Sequence, residues 1–138
     1  MEMSEQLIWE FFNQGRMVAS LSFIGSIIAI WLALRTANMS GENPDTNLFG
    51  KILSTVFGLI IVAGTWQSFG IAANGWAIAA NNITALGVDN MSNPEFAQGF
   101  IDFVGTTEPS GMPSIMGMAF LLTITIMIIG LIWGPRGK

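Results

Sequence analysis

Three long uncharged runs, separated by short charged segments, set the pattern of the chain. The first covers about 17–35, with 18 uncharged residues between Arg16 and Arg35. The second follows Lys51 and covers about 52–73; the third covers about 115–133 and ends at Gly134-Pro135. As helices rising 1.5 Å per residue, runs of this length reach roughly 30 Å, the thickness of a bilayer's hydrocarbon core. The pattern predicts an all-α integral membrane protein, a single domain over 1–138 with three transmembrane helices. Buried helices of a soluble protein can be as apolar, but too little polar sequence remains here to cover three of them. Ser114 supplies an N-cap for the third helix, and Pro113 keeps the chain before it extended.

Small residues recur in step within the runs. In the first they are Gly15, Ala19, Ser22, Ser26, Ala29 and Ala33, spaced 4, 3, 4, 3, 4. The second carries Ser54, Gly58, Thr65, Ser68 and Ala72, interrupted by Ile61, and the register runs on through Gly75, Ala79 and Asn82. That continuity favours a second helix extended or kinked as far as about residue 85, although Gly70 and Asn74-Gly75 argue for a break. Lipid tails are as apolar as Leu, so membrane helices associate through close packing and interhelical hydrogen bonds, for which small residues clear the way. The spacing is that of a left-handed crossing near +20°. Two such stripes can face each other as an internal hairpin or meet the helices of other subunits. Thr65, Gln67 and Thr125, polar groups at membrane depth, are expected to seek partners across helices.

Upstream, residues 4–16 continue the helical phase. Ser4 is a candidate cap, and Ile8, Phe11 and Phe12 share the face of Gly15 and Ala19. This segment reads as an amphipathic lead-in on the membrane surface or as an extension of the first helix packed on the loop. The loop 74–114 carries a second amphipathic signature at about 94–104, with Asn93 as cap and Pro94 at the first helical position. Its Phe96, Phe100, Ile101 and Phe103 make an apolar surface too wide for solvent, expected to dock on the membrane interface or on a partner.

Composition agrees with the pattern: 51% of residues are hydrophobic and 10% charged, with mean hydropathy +0.59. There is no Cys, His or Tyr, which removes thiol chemistry, the commonest metal ligand and the usual general base. A net charge of −4 with only five basic residues argues against nucleic acid. Acids at Glu2 and Glu5 stand where a secretory signal would be positive, so the first run is expected to be retained. Arg35, Lys51, Arg136 and Lys138 fall on one side of three crossings and Arg16 alone on the other. The positive-inside rule then places the N-terminus outside and the C-terminus in the cytoplasm, in the plasma or cytoplasmic membrane. Trp9, Trp31, Trp76 and Trp133 fall near helix ends, as an aromatic belt requires; Trp66 does not.

No ionisable side chain interrupts the three runs, which argues against an autonomous pump or proton channel. Met112, Met116 and Met118 are soft donors for copper, but Met112 and Met116 share a face only if the third helix begins before Pro113. Asp89, Asn90, Asn93 and Glu95 offer oxygens to calcium without the spacing of a calcium loop, and capping explains the same residues. Asn38, Asn82 and Asn90 open Asn-x-Ser/Thr triplets, a weak glycosylation signal in a chain with many asparagines. No nucleophile–base pair or phosphate loop is present, so no catalytic residue, cofactor or confident metal site is expected. The expected role is a non-catalytic accessory subunit of a larger membrane complex, such as an oxidoreductase or oxygenase whose cofactors sit in other chains. The alternatives are a self-assembling structural or pore-forming protein and a Met-based copper-handling subunit.

Overall fold

The structure is a computed structural model that describes residues 3–135. Arg136 and Lys138, which enter the charge asymmetry, lie outside the described residues. Among those described, all regular structure is helical: α1 (Glu5–Glu42), α2 (Leu48–Leu86), α3 (Pro94–Val104) and α4 (Ile115–Trp133), with a 3-10 turn at Val88–Asn90. α1, α2 and α4 are long and apolar enough to cross a membrane.

α1 and α2 have 38 and 39 residues against 19 in α4, so they extend to nearly 60 Å where α4 reaches about 28 Å. They outrun the 17–35 and 52–73 segments because nothing in the flanking sequence stops them. Ser4 accepts a hydrogen bond from the Leu7 N–H at 3.3 Å and starts α1. Only at Asn43, extended at φ −78° and ψ 113° ahead of Pro44, does the helix end. Asn47 then accepts from the Gly50 N–H at 2.8 Å and caps α2. Residues 5–16 are therefore the first turns of α1 rather than a separate surface helix.

α2 passes Gly70 and Asn74-Gly75 without interruption, and these residues receive a neighbouring loop instead. A Cβ on Gly70 would press into the carbonyl of Gly111. The Asn74 side chain accepts from the Gly111 N–H at 2.8 Å. The loop is thus pinned across α2, and it delivers buried Pro113 and the capping Ser114 to α4.

Two cores result. Near the α1–α2 turn, Ile30, Ala33 and Ala37 of α1 meet Ile124, Ile128 and Ile132 of α4, with Phe57, Ile61 and Val62 of α2 closing the side. Gly58 lets α4 approach, since a Cβ there would lie 2.9 Å from Ile128 Cγ2. At the opposite end Ile8, Ile83, Met91 and Ala97 are buried beneath Trp9, Phe100 and Ile101, where α3 packs across the projecting ends of α1 and α2.

Glu5 ties this cap together. Its carboxylate accepts from the Ser92 hydroxyl at 2.6 Å and from the Ser92 N–H at 2.8 Å. These two hydrogen bonds, the hydroxyl first, hold its pKa below the usual carboxylate value. A depressed pKa means a contribution present above the unfolded-state pKa and lost as the pH falls through the folded one. Glu5→Gln is accordingly expected to speed hydrogen exchange at Ser92 at neutral pH. Wild type should lose that protection only in acid. Equal protection in both proteins at neutral pH would contradict the tether.

Candidate packing faces and interfacial site

Each basic residue in the helices lies over a tryptophan. The Arg16 guanidinium is 5.0 Å from the Trp76 ring centroid, Arg35 is 5.7 Å from Trp31, and the Lys51 ammonium is 5.6 Å from Trp133. Trp133 also donates from Nε1 to the Thr55 hydroxyl at 3.0 Å. Arg16 and Arg35 are separated by about 28 Å of helix, which matches the hydrocarbon thickness. The pairs therefore bracket the apolar length with amphipathic rings and cations, the arrangement an interface favours. Trp9 is placed differently. It packs on Phe12, Phe96 and Phe100 inside the α3 cap, with its closest ring centroid at 5.4 Å.

The small-residue stripes turn toward each other within the chain, as in the hairpin reading. On α1, Ala33 is buried, Ala19, Ser26 and Ala29 are half-buried, and Gly15 and Ser22 are exposed. On α2, Gly58 and Thr65 are buried, while Ser54, Ser68 and Ala72 are half-buried. α4 seals the seam near the α1–α2 turn. Toward the α3 end the stripes part around an open cleft of about 680 Å³, with Gly15, Ala19 and Ser22 facing Ser68, Ala72, Gly75 and Ala79. A Cβ added at Gly15 or Gly75 would meet no atom within 4 Å.

The polar groups at membrane depth divide into two kinds. The Thr65 and Thr125 hydroxyls donate to their own helices, to the carbonyls of Ile61 at 2.9 Å and Leu121 at 2.8 Å. They do not bridge helices as the sequence led one to expect, because the carbonyl one turn back is always within reach of a threonine. Gln67 differs. It is exposed on α2 and has no hydrogen-bond partner among the described residues.

α3 spends half of its apolar surface on its own chain. Phe100 stacks on Trp76 at 5.8 Å and meets Phe12 edge-on at 5.3 Å, and Ile101 packs on the second core. Only Phe96 and Phe103, 59% and 79% exposed, still face outward. The docking surface expected from four residues is therefore reduced to two, because the ends of α1 and α2 project far enough to receive the others.

The metal candidates gain no support from the geometry. α4 begins at Ile115 with Ser114 as its cap, whose oxygen accepts from the Gly117 N–H at 3.1 Å. Met112 therefore precedes the helix, and the condition for placing it on one helical face with Met116 is not met; Met118 lies within the helix, half-buried. Of the oxygen donors, Asn93 accepts from the Phe96 N–H at 3.0 Å and caps α3. Asn90 donates to the Leu86 carbonyl at 2.7 Å. Among the described residues no cluster of three Asp or Glu side chains could hold a metal ion.

Nothing in the sequence signals the outward aim of Gln67 or the pairing of Arg16 with Trp76, sixty residues further along the chain. Both depend on how the helices are rotated about their axes. Comparisons with protein-family models, curated proteins and solved structures yield no match.

Proposed function

We propose that this protein is a non-catalytic accessory subunit of a larger integral membrane complex, and that a partner's transmembrane helix lies in the cleft between α1 and α2. The outward-facing carboxamide of Gln67 carries this reading. Gln67 lies nine residues, about 13 Å, inside Trp76 along α2, which puts it within the hydrocarbon. An amide moved from water to hydrocarbon with no partner costs about 4–8 kcal/mol. A neighbouring polar group removes that cost. Gln67 also shares a face of α2, at helical steps of three and four, with Gly64, Ile71, Gly75, Ile78 and Asn82, and the last four line the cleft. Small residues beside an unmet amide are the chemistry of a helix-packing seam.

The reaction served belongs to the partner chains, since this chain has no His, Cys or Tyr to contribute. Its setting is the plasma or cytoplasmic membrane, with the α3 cap outside and the α1–α2 turn in the cytoplasm. Single cysteines at Ser110 and Asp45 test the orientation; labelling of position 45 from outside would reverse it.

The partner is tested by gentle detergent extraction, native mass determination and identification of co-migrating chains. Wild type is expected to carry unlike chains. Gly75→Leu should release them without disturbing the fold, because its Cβ points into open space. Gln67→Leu should weaken retention by roughly 3–30-fold, the equivalent of one interhelical hydrogen bond in a membrane. Recovery of multiples of 14.9 kDa alone would replace the accessory reading with self-assembly.

A further inference from the structure

A second groove opens between α1, α2 and the first half of α4; it shares Arg16 and Ala72 with the α1–α2 cleft but has a floor of its own and a wall from α4. It has a volume of about 750 Å³. Its floor is three rings in a row: Phe23 on Phe69 at 5.9 Å and Phe69 on Phe120 at 6.4 Å, both pairs inclined by 28°. Thr123 also lines it, but its hydroxyl donates to the Ala119 carbonyl at 2.9 Å, leaving the wall apolar in effect.

The mouth is cationic. Arg16 and Ser114 stand there, and no carboxylate lines the groove. The Arg16 guanidinium carbon lies over the Trp76 ring, 5.0 Å from its centroid, and Trp76 is itself packed between Phe12 at 4.9 Å and Phe100 at 5.8 Å. A cation–π contact consumes none of the guanidinium's N–H donors in hydrogen bonds, and these remain for an oxyanion, which Arg can bind in bidentate fashion. Among the described residues the Arg16 guanidinium forms no ion pair that would use those donors. The N-terminus of α4, positive by its dipole, adds to the same field.

The depth selects the occupant. From Arg16 to Ile27 the groove follows α1 for about 16 Å, half of a hydrocarbon core and thus one leaflet. Below it, the buried Ile30, Ile124 and Ile128 close the passage. A spanning helix would need the full thickness; a lipid chain hanging from a headgroup needs one leaflet only. We propose that the groove binds a glycerophospholipid, with its phosphodiester on Arg16 and one acyl chain along Phe23, Phe69 and Phe120.

The test is native mass spectrometry of the full chain in detergent, titrated with phosphatidylglycerol or with diacylglycerol of the same chains. Phosphatidylglycerol is expected to bind at least about tenfold more tightly, the contribution of a charged hydrogen-bonded pair. Arg16→Gln should reduce it to the diacylglycerol level. Ala119→Phe, at an exposed position, should lower binding of both lipids by filling the groove. Millimolar inorganic phosphate should not displace the bound lipid. Equal binding of the two lipids, or unchanged binding in either variant, would overturn the proposal. Displacement by inorganic phosphate would overturn the acyl-chain part and leave a simple anion site. The assay uses the isolated chain, so its outcome does not depend on the partner proposed above.

Discussion

Gly70→Val is expected to destabilise the protein by about 3 kcal/mol, the upper range for overpacking a close contact. The valine Cβ would press on the Gly111 carbonyl oxygen and lie 2.8 Å from its carbon. The obstacle on both sides is backbone, which has no alternative rotamer. Gly111 cannot readily yield, because it sits at φ +70°, a left-handed conformation that glycine adopts freely, and its N–H is held by Asn74. Displacing it would also pull on buried Pro113 and on the cap of α4. Gly64→Val, six residues earlier on the same helix, is the control, since a Cβ there meets nothing within 4 Å. Asn74→Ala should cost less, about 1 kcal/mol, as one hydrogen bond is removed without a clash. Unfolding from mixed micelles with increasing SDS would measure all three. Equal stability of the Gly70 and Gly64 variants would show that the loop does not cross α2 at this point.

Ile83→Ala is expected to cost about 2–5 kcal/mol, and Ile128→Ala distinctly less, roughly 1–2 kcal/mol. Both side chains are 0% exposed, so burial alone does not separate them. The surrounding medium does. Ile83 lies seven residues beyond Trp76, about 10 Å outside the apolar length, and is covered there by Ile8, Met91 and Ala97. Unfolding the cap exposes it to water, so the substitution forfeits transfer free energy as well as packing. Ile128 stands in α4 against Ala33 and Ala37. When the helices separate within a bilayer, it meets lipid of equal polarity and forfeits packing alone. Thermal or SDS unfolding followed by near-UV circular dichroism would rank them. A larger loss at Ile128 would place the main cohesive term within the spanning helices.

Much of the architecture is local chemistry and could be read without coordinates. Three uncharged runs of membrane length make three helices. Ser4 and Ser114 cap because each needs only an N–H three residues on, at 3.3 and 3.1 Å. The small-residue register also ran on through Gly75 and Ala79, and α2 follows it to Leu86. Gly70 and Asn74-Gly75 argue for a break that α2 does not make, because a glycine that breaks a helix and one that admits a crossing strand of loop look alike in sequence. Likewise Phe96, Phe100, Ile101 and Phe103 read as one apolar face. Only the reach of α1 and α2 decided that Phe100 and Ile101 turn inward.

By itself, then, the sequence determined the number of apolar helices, their caps and the residues small enough to permit close approach, since each depends on composition and on neighbours within a turn or two. The tertiary structure decided which stripe positions were sealed by α4 and which were left around a cleft. It also decided that Gln67 faces outward and that Arg16 lies on Trp76 above an apolar groove. Those outcomes depend on the rotation and divergence of whole helices, which arise from contacts between residues far apart in the chain. A periodicity of 3.6 fixes which residues share a face, but it leaves open what that face will meet.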